Sequence, residues 1–383
     1  MNHVITQSLA DVFRRPADAN YDSMERLLEV SSEEMDKSRT VKANGADVSF
    51  STEDGQFFID VEKQNPLPLT NYSMTQVAGM AKVQTHVLER LHKRGRDDTV
   101  IDNLVTLFPN SRAETKFVLI RDYYNTDGSI DSVARAVNGG AYGRLWDYEV
   151  FAEMQEFLMT RGFTPMLPNI RSNAMRNGLM HGLDTGLFRG DQCSFGFFFV
   201  ENDLEGDSET LGGLKPGMMV WNSEVGARSF GYHTFYYHEA SGSIIIWTPA
   251  NHKRKRFVHR GDVKKAFKEY IRTLEDVADN FQTRYTDDIK TFETAEATEF
   301  ASDSNAAVER LNKQFKMSAV SARAAVTAAQ KSCNMTYPRQ GTALSVWNIA
   351  LGIAWEAGQT GRAESLVDDS MVATRVMRSL LNV

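Results

Sequence analysis

The chain has 383 residues, 42% of them hydrophobic and 24% charged, with a formal net charge of −7. This is the balance of a globular protein long enough to build a large core without staples, and the overall acidity, taken alone, argues against a nucleic-acid binder. Two cysteines, Cys193 and Cys333, stand in no paired motif, which excludes a disulfide framework or a zinc ribbon and fits a reducing compartment.

In chain order, residues 1–16 lack the apolar core of a signal peptide, and residues 1–55 read as a polar N-terminal arm with one helix around Met24, Leu27, Leu28 and Val30. Residues 56–61 read as a strand, and Asn65-Pro66-Leu67-Pro68 as a break. Val77, Met80, Ala81, Val83, Val87, Leu88 and Leu91 predict one helix over 75–94, stopped by Gly95. A strand over 116–123 and a turn over 125–129 precede a boundary at Asn138-Gly139-Gly140. Asp147 reads as the N-cap of a helix reaching Arg161, with Gly162 as its stop. Cys193, Phe195, Phe197 and Phe199 alternate on one face of a strand, and strands over 217–222, 228–237 and 243–248 follow, with Ser241-Gly242 as a hairpin turn. From Asp262 the pattern turns helical: one stripe from Val263 to Phe281, then helices over 305–331, 342–357 and 363–381. The apolar runs at 195–200 and 345–355 are too short to span a membrane.

The expected fold class is therefore α+β: a central, mostly antiparallel sheet with flanking helices and a helical C-terminal third. The expected divisions are the arm (1–55), an N-terminal α+β segment (56–140), the sheet with a long helix (141–300) and a helical region (301–383), with 56–383 forming one compact unit. The expected location is the cytoplasm, without membrane contact.

Charge is unevenly spread. Residues 251–268 hold eight cations, Lys253, Arg254, Lys255, Arg256, Arg260, Lys264, Lys265 and Lys268, against the single acid Asp262. That window carries +7 and leaves −14 for the remainder. Such a patch would steer a polyanion to one place. With His259, and with Trp247 and Tyr236 as nearby rings for bases to stack on, it makes a candidate single-strand site. The competing interpretation is a solvated loop beside core aromatics. Arg90, Lys93, Arg94 and Arg96 form a smaller second basic patch, equally explained as cations suiting a helix C-terminus.

No sequence motif specifies catalysis or a cofactor. His233, His238 and Glu239 lack zinc-site spacing, and His252 and His259 fit the basic patch better. The acidic run Glu201, Asp203, Glu205, Asp207 and Glu209 reads as a solvated loop, with a Mg²⁺-dependent nuclease as the enzymatic alternative. A third alternative is an interaction protein whose basic patch meets an acidic partner.

Five segments carry a resemblance: residues 142–151 (Tyr142-Gly143-Arg144-Leu145-Trp146-Asp147 onward), residues 220–230 with Asn222-Ser223-Glu224-Val225-Gly226 at their centre, residues 253–261 ending in Val258-His259-Arg260-Gly261, and the C-terminal segments Gly341-Thr342-Ala343 to Ala350 and Arg362-Ala363-Glu364-Ser365. In this order they resemble a phage and plasmid protein family of unknown function over the last two-thirds of the chain. Within it, length and acidity resemble the Drc-type single-stranded-DNA-binding proteins of lytic podoviruses. The chain departs from the family at 237–243, where a Cys and an Asn-Gly are replaced by His238-Glu239-Ala240-Ser241-Gly242. The resemblance implies a non-enzymatic early phage protein of the infected host cytoplasm. Single-stranded DNA would be its ligand and a phage RNA polymerase its partner in transcription, with strand annealing or recombination as the alternative role. It supplies no site residues and leaves homo-oligomerisation open.

Overall fold

The computed structural model describes residues 9–61, 66–109, 114–124, 130–165, 186–200, 211–247, 257–336, 344–359 and 363–381. Its centre is a seven-stranded antiparallel sheet of β1 (Ala19–Tyr21), β8 (Phe163–Pro165), β9 (Leu187–Arg189), β10 (Ser194–Val200), β11 (Leu214–Asn222), β12 (Gly231–His238) and β13 (Ser243–Ile246). The order is β1-β9-β10-β11-β12-β13, and β8 shares with β9 one edge of β10.

Both faces of this sheet are covered. Alternation along β10 sends Phe195, Phe197 and Phe199 to one side, against Phe235, Tyr237 and the helix α11 (Ala363–Leu381). Phe198 goes to the other side, with Met218 and Val220. There it meets α1 (Met24–Asp36), α5 (Asp147–Met159) and α6 (Val263–Asp279) through Leu27, Phe151, Tyr270 and Leu274. The helices α7 (Phe281–Ala297), α8 (Ser304–Phe315), α9 (Ala319–Thr336) and α10 (Val346–Gly358) gather with α11 around Trp347 and pack on Tyr236, Ile245 and Trp247 of the sheet. Two short strands, β14 (Glu299–Ala301) and β15 (Leu344–Ser345), pair within this helical third. A β-carbon at Gly352 of α10 would lie 2.1 Å from the Ala325 carbonyl oxygen, so only glycine lets α9 and α10 approach this closely.

The N-terminal third has its own core. A sheet ordered β2 (Ser38–Asn44), β6 (Thr115–Tyr124), β7 (Ile130–Gly139) and a meander of β3 (Val48–Glu53), β4 (Gln56–Val61) and β5 (Leu67–Pro68) pack with α2 (Asn71–Met80), α3 (Thr85–His92) and α4 (Asp97–Leu107).

The α+β architecture expected from the sequence is thus present, including the helical C-terminal third. Several elements differ in detail. Residues 19–53, expected to be a polar arm, hold β1, α1, β2 and β3, and β1 adds to the central sheet beside β9. The helix expected over 75–94 is two helices, broken where Lys82 adopts φ +55°. The stripe expected to reach Phe281 ends at Asn280 and turns into α7. Lys316, at φ +61°, divides the helix expected over 305–331 into α8 and α9. Asp147 is the first residue of α5 rather than its cap: Trp146 holds the cap position, and its amide donates to Glu149 Oε2 at 3.3 Å. The turn expected over 125–129 lies outside the described residues.

Candidate nucleic-acid interface

The segment leading into α6 is pinned at several points. The Phe257 amide donates to the Phe230 carbonyl at 3.3 Å, and its ring stacks on Phe230 with centroids 5.1 Å apart. The Gly143 amide donates to the His259 carbonyl at 3.0 Å. Gly261 turns the chain at φ +65°, and the Asp262 side chain accepts from the Lys265 amide at 3.0 Å, which starts the helix. Behind this frame the helix is anchored by Tyr270, whose hydroxyl donates to the Gly231 carbonyl at 3.0 Å.

The frame leaves Arg260, Lys264, Lys265, Lys268 and Arg272 exposed. None of these five forms an ion pair with another described residue. Lys264, Lys268 and Arg272 recur every fourth residue, so they stand about 6 Å apart along one side of the helix. They form one wall of a groove of about 680 Å³. Leu145, Ala152, Phe267 and Ile271 supply its apolar lining, and Glu149, Glu153 and Glu156 of α5 supply the facing wall. Carboxylates and cations thus look at each other across the gap without pairing, whereas Glu275 at one end reaches Arg161 at 3.8 Å.

The other residues expected at this site are distributed differently. Lys253, Arg254, Lys255 and Arg256 lie outside the described residues, as does the acidic run 201–209. Trp247 and Tyr236 are buried and offer no face to a base. Both bond the same carboxylate, Trp247 Nε1 to Asp288 Oδ1 at 2.7 Å and the Tyr236 hydroxyl to Asp288 Oδ2 at 2.6 Å. Their strands are covered on that side by α7, so period-two aromatics here serve the core. His259 is also buried, stacked on Tyr142 with centroids 5.4 Å apart. Burial pulls its pKa down to about 4, against the raising effect of its bond to the Gly143 carbonyl, so it is neutral at physiological pH and adds no charge to the patch.

In the second patch Arg90, Lys93, Arg94 and Arg96 are all exposed around the end of α3. Lys93 is paired with Glu89, and Arg96 reaches the Thr99 hydroxyl at 3.4 Å. His233 and His238 belong to different surroundings. His233 lies against Trp221, with ring centroids 4.9 Å apart. His238 is held between Ser241 Oγ at 2.6 Å and the Leu211 carbonyl at 2.7 Å. Among the described residues no group of three or more His, Cys, Asp and Glu is placed to hold a metal ion.

A larger constellation escaped the sequence. Arg121 of β6, Arg135 of β7 and Arg189 of β9 converge, all buried, on Glu34 of α1, Glu224 after β11 and Asp147 of α5. Arg121 Nη1 lies 2.6 Å from Glu34 Oε2, and Arg189 Nη2 lies 2.8 Å from Glu224 Oε1. Arg135 pairs with Glu224, and Arg189 with Glu34. Asp147 accepts from Ser194 Oγ at 2.6 Å and Asn222 Nδ2 at 2.8 Å. Burial alone would raise Glu34 and Glu224, but the guanidiniums outweigh it. Glu34 is held well below the carboxylate range and Glu224 is lowered to about 2. Asp147 moves the other way, to about 6, because burial and then Glu224 outweigh Arg189.

Three of the segments singled out in the sequence, around Tyr142, Asn222 and Arg260, meet beside this cluster. The Tyr142 hydroxyl donates to the Glu224 carbonyl at 3.0 Å, Asn222 Nδ2 donates to the Leu145 carbonyl at 2.9 Å, and Tyr142 bridges to Arg260. Arg144 bonds the Glu224 carbonyl while lying over the rings of Tyr142 and Trp146 at 5.4 and 5.5 Å. The signal for this cluster was a lone arginine inside an otherwise apolar strand, as in Val133-Ala134-Arg135-Ala136-Val137. Among the described residues no helix is long and apolar enough to cross a membrane. Comparison with known protein families, with curated proteins and with solved structures gives no match to this chain.

Proposed function

We propose that this protein binds single-stranded DNA, without catalysis, along the open side of α6. The observation that carries the proposal is the row of Lys264, Lys268 and Arg272, joined by Arg260 and Lys265, all exposed and without ion pairs among the described residues. Cations left unpaired in an acidic chain are available to displace counterions from phosphates. Phe267 takes the place of Trp247 and Tyr236 as the stacking surface: it is half-buried, lines the groove and lies nearly parallel to Tyr270 at 18°. Lys253, Arg254, Lys255 and Arg256 precede this row in sequence and lie outside the described residues. The family resemblance extends the proposal to a phage transcription cofactor that brings an RNA polymerase to unpaired promoter DNA.

The test is fluorescence anisotropy with a labelled single strand at low salt, comparing the wild type with R260A/K264A/K268A. Loss of these cations is expected to weaken binding about tenfold or more. Affinity equal to the wild type overturns the proposed site. Duplex DNA bound as tightly as the single strand overturns the proposed ligand.

A further inference from the structure

The groove between α5 and α6 is an unusual surface for a polyanion, because one of its walls is acidic. A strand lying wholly on the cationic wall would leave Glu149, Glu153 and Glu156 unused and repulsive. The Glu149 carboxylate accepts from the Trp146 amide at 3.3 Å, while the carboxylates of Glu153 and Glu156 have no hydrogen bond or ion pair with a described residue. Both are exposed on the helix side that faces the groove. An occupant that satisfies both walls carries negative charge on one side, hydrogen-bond donors on the other and a flat apolar body between them. A nucleotide has this form. Its phosphate would lie toward Lys264, Lys268 and Arg272, and its base over Phe267 and Ile271. The base edge would then be presented to the carboxylates.

Resting on the single-strand reading, we infer that the groove selects bases by their amino groups, with Glu153 and Glu156 as the specificity-determining residues. A carboxylate only accepts hydrogen bonds. It therefore favours the exposed N4 amino group of cytosine over thymine, which has the O4 acceptor at the corresponding position and whose N3–H donor is flanked by the O2 and O4 acceptors that repel a carboxylate. Cytosine and thymine have the same ring size, so this contrast isolates the edge from stacking. Strand binding is thus selective against thymine, and the acidic wall is the source of the selectivity.

The experiment titrates homopolymeric dC and dT oligonucleotides of equal length at neutral pH against the wild type, E153Q/E156Q and K264A/K268A. All four side chains are exposed, so the substitutions leave the core intact. The wild type is expected to prefer dC by roughly fivefold to tenfold, the low end of a single base-edge contact. In E153Q/E156Q the dC-to-dT ratio falls toward one while affinity for both rises, because two repulsive charges are gone and a glutamine amide can donate to O4. In K264A/K268A both oligonucleotides weaken together. Equal wild-type affinities, or an unchanged ratio in E153Q/E156Q, overturn the selectivity and leave strand binding standing. Failure of the wild type to bind either oligonucleotide overturns both readings and favours a protein segment of mixed charge as the occupant.

Discussion

Two regions of this molecule are built from the same residue types and behave in opposite ways. At the junction of the N-terminal core and the central sheet, three arginines and three carboxylates are buried and bonded to one another. Along α6, cations face carboxylates across open solvent and stay apart. Inside, a charge without a partner costs several kcal/mol, so the geometry must close. Outside, water screens each charge, and pairing contributes little. Burial therefore decides whether a charged side chain in this protein must find a partner: the buried arginines have closed on carboxylates, whereas the exposed cations of α6 have not.

The strongest way to break the comparison is to remove one buried partner. Replacing Glu224 with Gln leaves Arg135 and Arg189 facing a neutral group, and is expected to cost about 3–5 kcal/mol in chemical denaturation. A loss below about 1 kcal/mol would show that the cluster is not a lock. Acid should act in the same direction. Glu34 and Glu224 have folded pKa values depressed below their ordinary 4.5. Their contribution is therefore complete above that value and is lost as pH falls through the folded values. Asp147, raised to about 6, has the opposite sign: its ionisation opposes folding as pH rises above its ordinary 3.8. A denaturation series from neutral to acid pH should show a net decline in stability, and E224Q should decline less.

A smaller effect separates the aromatic core from the surface. Trp247→Phe removes the donor to Asp288 and is expected to cost about 1–3 kcal/mol while leaving DNA affinity unchanged. A selective loss of binding would restore Trp247 as a stacking ring. The smallest effect on stability is expected from K264A/K268A, within about 0.5 kcal/mol of the wild type. DNA affinity should also stay level between pH 6 and 8 as far as His259 is concerned, since its pKa near 4 keeps it neutral throughout.

Much of the fold was legible because burial on one side writes a period into the sequence. The alternation of Phe195, Phe197 and Phe199 and the stripe Val263, Tyr270, Leu274 and Val277 both correspond to faces that pack. The strand β7 was not legible, since Arg135 interrupts its apolar run and its partner Glu224 lies 89 residues away. The helix α7 was also missed: Arg284, Asp287, Asp288 and Lys290 obscure the spacing of Phe281, Tyr285, Ile289 and Phe292. Within the candidate site, Arg260, Lys264 and Lys265 are exposed. Trp247 and Tyr236 are not, and this was not legible, because period two tells that a ring faces one side of a sheet and says nothing of the helices that cover that side. The acidic wall was invisible for a similar reason: more than a hundred residues separate Glu153 from Lys264 along the chain.

The most direct measurement is the salt dependence of single-strand binding in the wild type and in K264A/K268A. If these lysines contact phosphates, the slope of log affinity against log salt becomes shallower by about 1.4 in the variant, at roughly 0.7 per contact. A variant with the wild-type slope would contradict the account, since the exposed cations of α6 would then take no part in holding the strand.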